Sequence, residues 1–263
     1  MKQILILFFF LSFLSSKAQD YFEAESLYDK DKFEEAGKTL ENVLEKGVYK
    51  NDTRFLIMSM NLFSDVKRIL KDSVGSEKIN RQILEVVPVP ADSGWANQIN
   101  SEKYKACMNL FSVSMKRKNY SEAIHYLRLT ETHAYYSATG IDVALERITL
   151  RFNFAEVYER LNFPDSALIQ LIPNMEFYDL CCEAGALAKV IRIVKSKYSK
   201  QEIKKMFKQT ELELKAGCRP LLFGLEKVNV ERLVRPLTKD KPTNCEVLFK
   251  TSYLYLELKK LIE

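Results

Sequence analysis

The sequence predicts an all-α protein: a right-handed α–α superhelix of stacked antiparallel helix pairs, closed by a small atypical carboxyl-terminal cap with a short β-hairpin. Three observations point there. The chain has only 8 Gly and 7 Pro in 263 residues, whereas a sandwich or barrel turns roughly every 8–12 residues, usually on those two residue types. Hydrophobic residues make up 47% and charged residues 29%, a balance that buries a core and excludes a disordered chain. A helical-hairpin pattern also returns at a nearly constant interval.

The amino terminus stands apart from that fold. Lys2 is followed by a stretch from Ile4 to Leu14 that is apolar except for Ser12, and then by Ser15-Ser16-Lys17-Ala18. This is the pattern of a Sec-type signal peptide over 1–18, cleaved after Ala18. The apolar stretch is shorter than the roughly 20 residues of a spanning helix, and no later run approaches that length. The expectation is an exported protein, periplasmic or extracellular, with no transmembrane segment in its mature chain. The first cysteine is Cys107, which leaves nothing near the cleavage point to carry a lipid.

From residue 19 the hairpin pattern begins. Asp31-Lys32-Phe33-Glu34-Glu35-Ala36 leads to Leu40, Asn119-Tyr120-Ser121-Glu122-Ala123 to Leu127, and Asn162-Phe163-Pro164-Asp165-Ser166-Ala167 to Leu171. In each, a polar turn opens a helix, and an Ala stands four residues before a Leu on the same helical face. Asp31 with Glu34 and Asn119 with Glu122 have capping-box spacing, and Pro164 suits a first helical turn. Ala36 and Ala123 are 87 residues apart, and Ala123 and Ala167 are 44. Halving the longer interval places a degenerate unit near residue 79, where Ser76-Glu77-Lys78-Ile79 leads to Ile83 with Ile in the Ala position.

A helix precedes each pattern. Ala24, Leu27 and Ala36 match Ala155, Tyr158 and Ala167 at identical offsets of 12 and 9 residues. On these residues the chain resembles the tetratricopeptide-repeat family, best over 21–48 and 150–173. The resemblance implies helix–turn–helix units whose concave side binds a protein segment. The chain departs from the family in lacking a Trp at the start of a unit and in carrying Val43 and Asn174 at the second small position. Its interval is also about ten residues longer than the family's.

The remaining elements follow from periodicity. Tyr104, Cys107, Met108, Phe111 and Met115 form one helical stripe, and Leu187, Val190, Ile191, Val194 and Tyr198 form another. Ile141 to Leu161 reads as a helix between them. Ser199 with Glu202 is a capping box for a helix through Lys215, ended by Gly217. Breaks are expected at 88–95 and 133–140. The repeat domain therefore spans 19–216, with a capping segment over 217–263, since a solenoid needs a different unit at its apolar end. In that cap, Leu221-Leu222-Phe223-Gly224 and Val228-Asn229-Val230 suggest two short strands. Thr243-Asn244-Cys245-Glu246 opens one last helix bearing Val247, Leu248, Tyr255, Leu258 and Ile262.

Chemistry is sparse. Cys107, Cys181, Cys182, Cys218 and Cys245 are an odd set, so one thiol stays unpaired; a bridge from Cys181 or Cys182 to Cys218 is one arrangement. Cys107, on an apolar face, reads as a small core hydrophobe. His125 and His133 read as structural, and no spacing suggests a metal site, a cofactor fingerprint or a nucleophile motif. An enzyme with a divergent site is the remotest reading.

Charge is more informative. Residues 189–263 carry 18 Lys and Arg against 9 Asp and Glu, whereas 19–188 carry 20 against 26. Lys189, Arg192 and Lys195 step by three, and Lys200, Lys204 and Lys208 step by four, each set opposite an apolar stripe. These six residues are the candidate partner-binding face. The sequence thus supports a protein-interaction scaffold first and a binder of an anionic envelope polymer or lipid surface second. Export argues against nucleic acid as the anion.

Overall fold

The computed structural model describes residues 18–88, 94–133, 140–177, 184–215, 217–227 and 244–263. Nearly all of the expected signal peptide, most of the two breaks, Cys181, Cys182 and the expected strand at 228–230 lie outside them. Twelve helices dominate the described residues, so the chain is all-α. They are α1 (18–29), α2 (Phe33–Glu45), α3 (Thr53–Ile69), α4 (Ser73–Glu85), α5 (Ala96–Lys116), α6 (Tyr120–His133), α7 (Gly140–Arg160), α8 (Pro164–Leu171), α9 (Ala184–Lys197), α10 (Lys200–Leu214), α11 (Cys245–Thr251) and α12 (Tyr253–Lys259). A 3₁₀ turn, Ile172–Phe177, prolongs α8, and two-residue strands β1 (Leu221–Leu222) and β2 (Glu226–Lys227) pair antiparallel. None of the described helices is long and apolar enough to cross a membrane.

One turn builds four hairpins. Asp31 (φ 59°), Lys71 (φ 64°), Lys118 (φ 59°) and Asn162 (φ 61°) all sit in the left-handed region, each two residues before the next helix. At the first, Asp31 N–H donates to the Tyr28 carbonyl at 3.0 Å and Lys32 N–H to the Leu27 carbonyl at 2.9 Å. The same two bonds recur at Lys71 and Asp72, Lys118 and Asn119, and Asn162 and Phe163. This double return satisfies carbonyls that a helix end leaves open.

Counting from the left-handed residue aligns the hairpins α1–α2, α3–α4, α5–α6 and α7–α8. Seven residues before it stand Ala24, Ser64, Phe111 and Ala155; five after it stand Ala36, Ser76, Ala123 and Ala167; nine after it stand Leu40, Asn80, Leu127 and Leu171. All twelve are buried. The second hairpin is therefore registered on Ser76, three residues before the Ile79 that the sequence interval selected. Equivalent residues are 40, 47 and 44 apart, so the even period was an average over unequal loops. Asp31 also fails as a cap, because its left-handed backbone turns it out of the N-cap position; Lys32 holds that place without a side-chain bond. Asn119 does cap, its Oδ1 accepting from Glu122 N–H at 3.3 Å.

The chain forms two compact units, Met1–Tyr136 and Ser137–Glu263. In the first, consecutive helices are neighbours from α2 to α6, and α3 also meets α5. Its core joins Ala24, Ala36, Leu40, Ile57, Met60, Phe63, Val66, Ile83 and Ile99. A Cβ at Gly37 would lie 3.2 Å from Val66 Cγ1, which explains a glycine inside α2 where α3 approaches closely.

In the second unit, α8 meets α7 and α9, α9 meets α12, and α10 meets β1 and α11. The carboxyl-terminal segment shares its core: Phe207, Phe223, Phe249 and Leu258 cluster with Leu168, Val190 and Val194. Two expectations are corrected here. Cys218 bonds to Cys245, with Cα atoms 5.1 Å apart, because the β1–β2 hairpin and the start of α11 meet over α10. A tight turn at 223–225 joins β1 to β2, which pairs Glu226 with Leu222 and Lys227 with Leu221. The last helix is two helices: Ser252 is extended (ψ 146°), ends α11, and accepts from Tyr255 N–H to start α12.

Candidate interaction surfaces

The first unit has an open groove of about 570 Å³ across α2, α3 and α4, within the size range of peptide and ligand pockets. Its floor is Leu44, Leu56, Met60, Phe63, Ile79 and Val86; its rim is Glu41, Glu45, Gln82 and Glu85. The floor residues are buried or half-buried, and all four rim residues are exposed. Helical periodicity makes this arrangement: Glu41 and Glu45 are one turn apart on α2, and Gln82 and Glu85 on α4, so α2 sends two carboxylates to the rim and α4 one carboxylate and one amide. The three glutamates make no ion pair with any described residue. Lys67, 5.0 Å from the Phe63 ring, is held by Asp72 at 3.4 Å. Sequence reasoning passed over this site because its residues looked like core plus solvated face. Only the meeting of three helices makes them one surface.

Several other carboxylates of this unit are used internally. Glu77 pairs with Arg81 at 2.9 Å and Arg117 at 2.6 Å; Arg81 reaches Glu122 at 2.6 Å and the Tyr126 hydroxyl at 2.5 Å. The two arginines hold the Glu77 carboxyl below its ordinary range, and Arg81 does the same to Glu122. Deeper in, Asn61 donates to the buried Glu102 carboxylate at 2.9 Å. Lys103 donates to the Val86 carbonyl at 2.7 Å, and burial lowers its pKa. These bonds fasten α3, α4, α5 and α6 to one another.

The six basic residues expected to form one face divide in two. On α9, Lys189 lies 4.9 Å from the Phe152 ring, Arg192 pairs with Glu159 of α7 at 2.7 Å, and Lys195 with Glu257 of α12 at 3.7 Å. On α10, Lys200, Lys204 and Lys208 are exposed and make no ion pair with any described residue. Lys205, not singled out in the sequence, is exposed beside them. A shallow groove of about 480 Å³ does gather Arg192 and Lys195 with Ile191, Tyr253 and Glu257, but its cations already have carboxylate partners.

Neither histidine lines either groove. His133 Nδ1 lies 3.3 Å from Asn100 Oδ1, and burial lowers its pKa; His125 sits on its helix against Tyr126. Cys107 is fully buried and its thiol is pushed up to about 11 by that burial. Among the described residues, no three His, Cys, Asp or Glu side chains come together as metal ligands. Compared with family models, with characterised proteins and with solved structures, the chain matches none.

Proposed function

We propose that the protein is a protein-interaction scaffold of the helical-repeat kind, resembling the tetratricopeptide design, exported by its amino-terminal segment. The observation that carries this reading is the groove across α2, α3 and α4. It leaves Leu44, Leu56 and Val86 half-exposed over the buried Met60, Phe63 and Ile79, and a partner segment gains about 25 cal/mol for each Å² of that apolar surface it covers. Four hairpins with one turn, and a buried Ala or Ser five residues after it in each, support the repeat design.

A second reading, contact with an anionic surface or polymer, is favoured by exposed Lys200, Lys204, Lys205 and Lys208 on one helix. One experiment separates the two. A photo-crosslinking amino acid replaces Gln82 at the groove rim or Lys204 on α10, in the cells that make the protein. A partner protein captured from position 82 and not from 204 supports the scaffold. Capture of protein, polymer or lipid from 204 alone supports the second reading, and silence at both positions overturns the first.

A further inference from the structure

We infer that the groove takes a cationic apolar segment of a partner protein: Leu or Phe anchors flanked by Lys or Arg. This rests on the scaffold reading and gives it a partner chemistry. Two observations define the occupant together. The floor of Leu44, Leu56, Met60, Phe63, Ile79 and Val86 asks for apolar anchors. The rim carries Glu41, Glu45 and Glu85, three exposed carboxylates that make no ion pair with any described residue. Like charges gathered beside an apolar groove repel an anionic segment and attract a cationic one, so they set both specificity and encounter rate. The rim charges act over a Debye length of about 8 Å at physiological salt. An occupant with its charges on the flanks and its anchors in the middle matches both parts at once.

The test uses the chain from residue 19 to 263 and three synthetic probes of equal length: an amphipathic Lys–Leu peptide, its Glu–Leu counterpart, and a Lys–Ser peptide without anchors. Binding is read by fluorescence anisotropy, and its place by hydrogen exchange over α2–α4. The expected result is saturable binding of the Lys–Leu peptide with protection at the groove, at least tenfold weaker affinity for each control, and a tenfold loss in the E41Q/E45Q/E85Q variant. Those substitutions lie on exposed positions, so the fold remains and circular dichroism checks it. Equal binding of the Glu–Leu peptide at the groove overturns the cationic occupant and leaves the scaffold reading standing. No protection by any probe, or binding indifferent to the triple variant, also overturns the inference; the crosslinking experiment then decides the scaffold reading by itself. Self-association lost in the triple variant makes the occupant a second copy and overturns assignment to a separate partner.

Discussion

Ala155 and Ala167 lie in one apolar cluster of the second unit, whereas the equivalent positions of α3 and α4 in the first unit are Ser64 and Ser76. The serine hydroxyls are 2.9 Å apart, and Asn80, where the other hairpins have Leu, donates to Ser64 at 2.7 Å and to the Ser76 carbonyl at 3.0 Å. The crossing is thus met by Ala at both positions in two hairpins and by Ser in a third, while the α5–α6 hairpin carries Phe111 with Ala123. A hydroxyl, once buried, then dictates a polar neighbour. The units differ likewise in how their outer helices are fastened. The first uses the Glu77, Arg81, Arg117 and Glu122 network. The second uses the Cys218–Cys245 bond and an aromatic knot in which Phe207 and Tyr255 rings lie 4.8 Å apart and Phe249 and Tyr255 rings 5.3 Å apart.

The largest break in that comparison is Phe249→Ala. Phe249 is fully buried in the knot, so its loss should cost about 3–5 kcal/mol. Calorimetry should show the second unit melting earlier while hydrogen exchange in α3–α6 is unchanged. Next comes the disulfide, which closes a separation of 27 residues. Cys218→Ser with Cys245→Ser should cost about 2–4 kcal/mol, measured in denaturant without reductant, and added reductant should then have no further effect on that variant.

Two variants of similar size sharpen the crossing itself. Ala167→Leu overpacks a fully buried position and should cost about 1–3 kcal/mol; an unchanged denaturation midpoint counts against the alignment of hairpins. Asn80→Leu leaves Ser64 and Ser76 short of a partner and should cost about 1–3 kcal/mol. The triple change Ser64→Ala, Ser76→Ala and Asn80→Leu, which writes the Ala and Leu pattern into the second hairpin, should return most of that loss. If the triple variant is no better than the single, the two crossings are not equivalent.

The smallest effect concerns pH. Glu77 and Glu122 have carboxyls held below their ordinary 4.5 by arginines. A depressed folded pKa contributes stability above the unfolded value and loses it as pH falls through the folded one. The first unit should therefore weaken as pH drops below about 4.5, and Arg81→Met should flatten that acid limb. The half-exposed arginines keep the effect modest.

The fold class and three of the four hairpins were legible because Ala36, Ala123 and Ala167 stand at a helical spacing from Leu in a polar-turn context, a purely local signal. The capping box at Ser199 and Glu202 is likewise local, and both its bonds form. The second hairpin was misregistered because Ser76 and Asn80 carry no apolar signal; what marks them as interior is hydrogen bonding to Ser64 on another helix. Ser252 was read as continuing a helix, since its role as a cap depends on Phe249 and Leu254 both turning into the core.

By itself, then, the sequence determined what depends on neighbours along the chain: helical periodicity, turn chemistry, the small residues at crossings and the excess of Lys and Arg after residue 189. Tertiary structure alone decided which cysteines pair and which cations are taken up by carboxylates: Arg192 by Glu159 and Lys195 by Glu257, while Lys200, Lys204 and Lys208 stay exposed. It also decided that Glu41, Glu45 and Glu85 share the lip of an apolar groove. The physical reason is distance. Charge, covalent and hydrophobic partners act over a few ångströms in space, and only packing brings residues 33 or 62 positions apart within that reach.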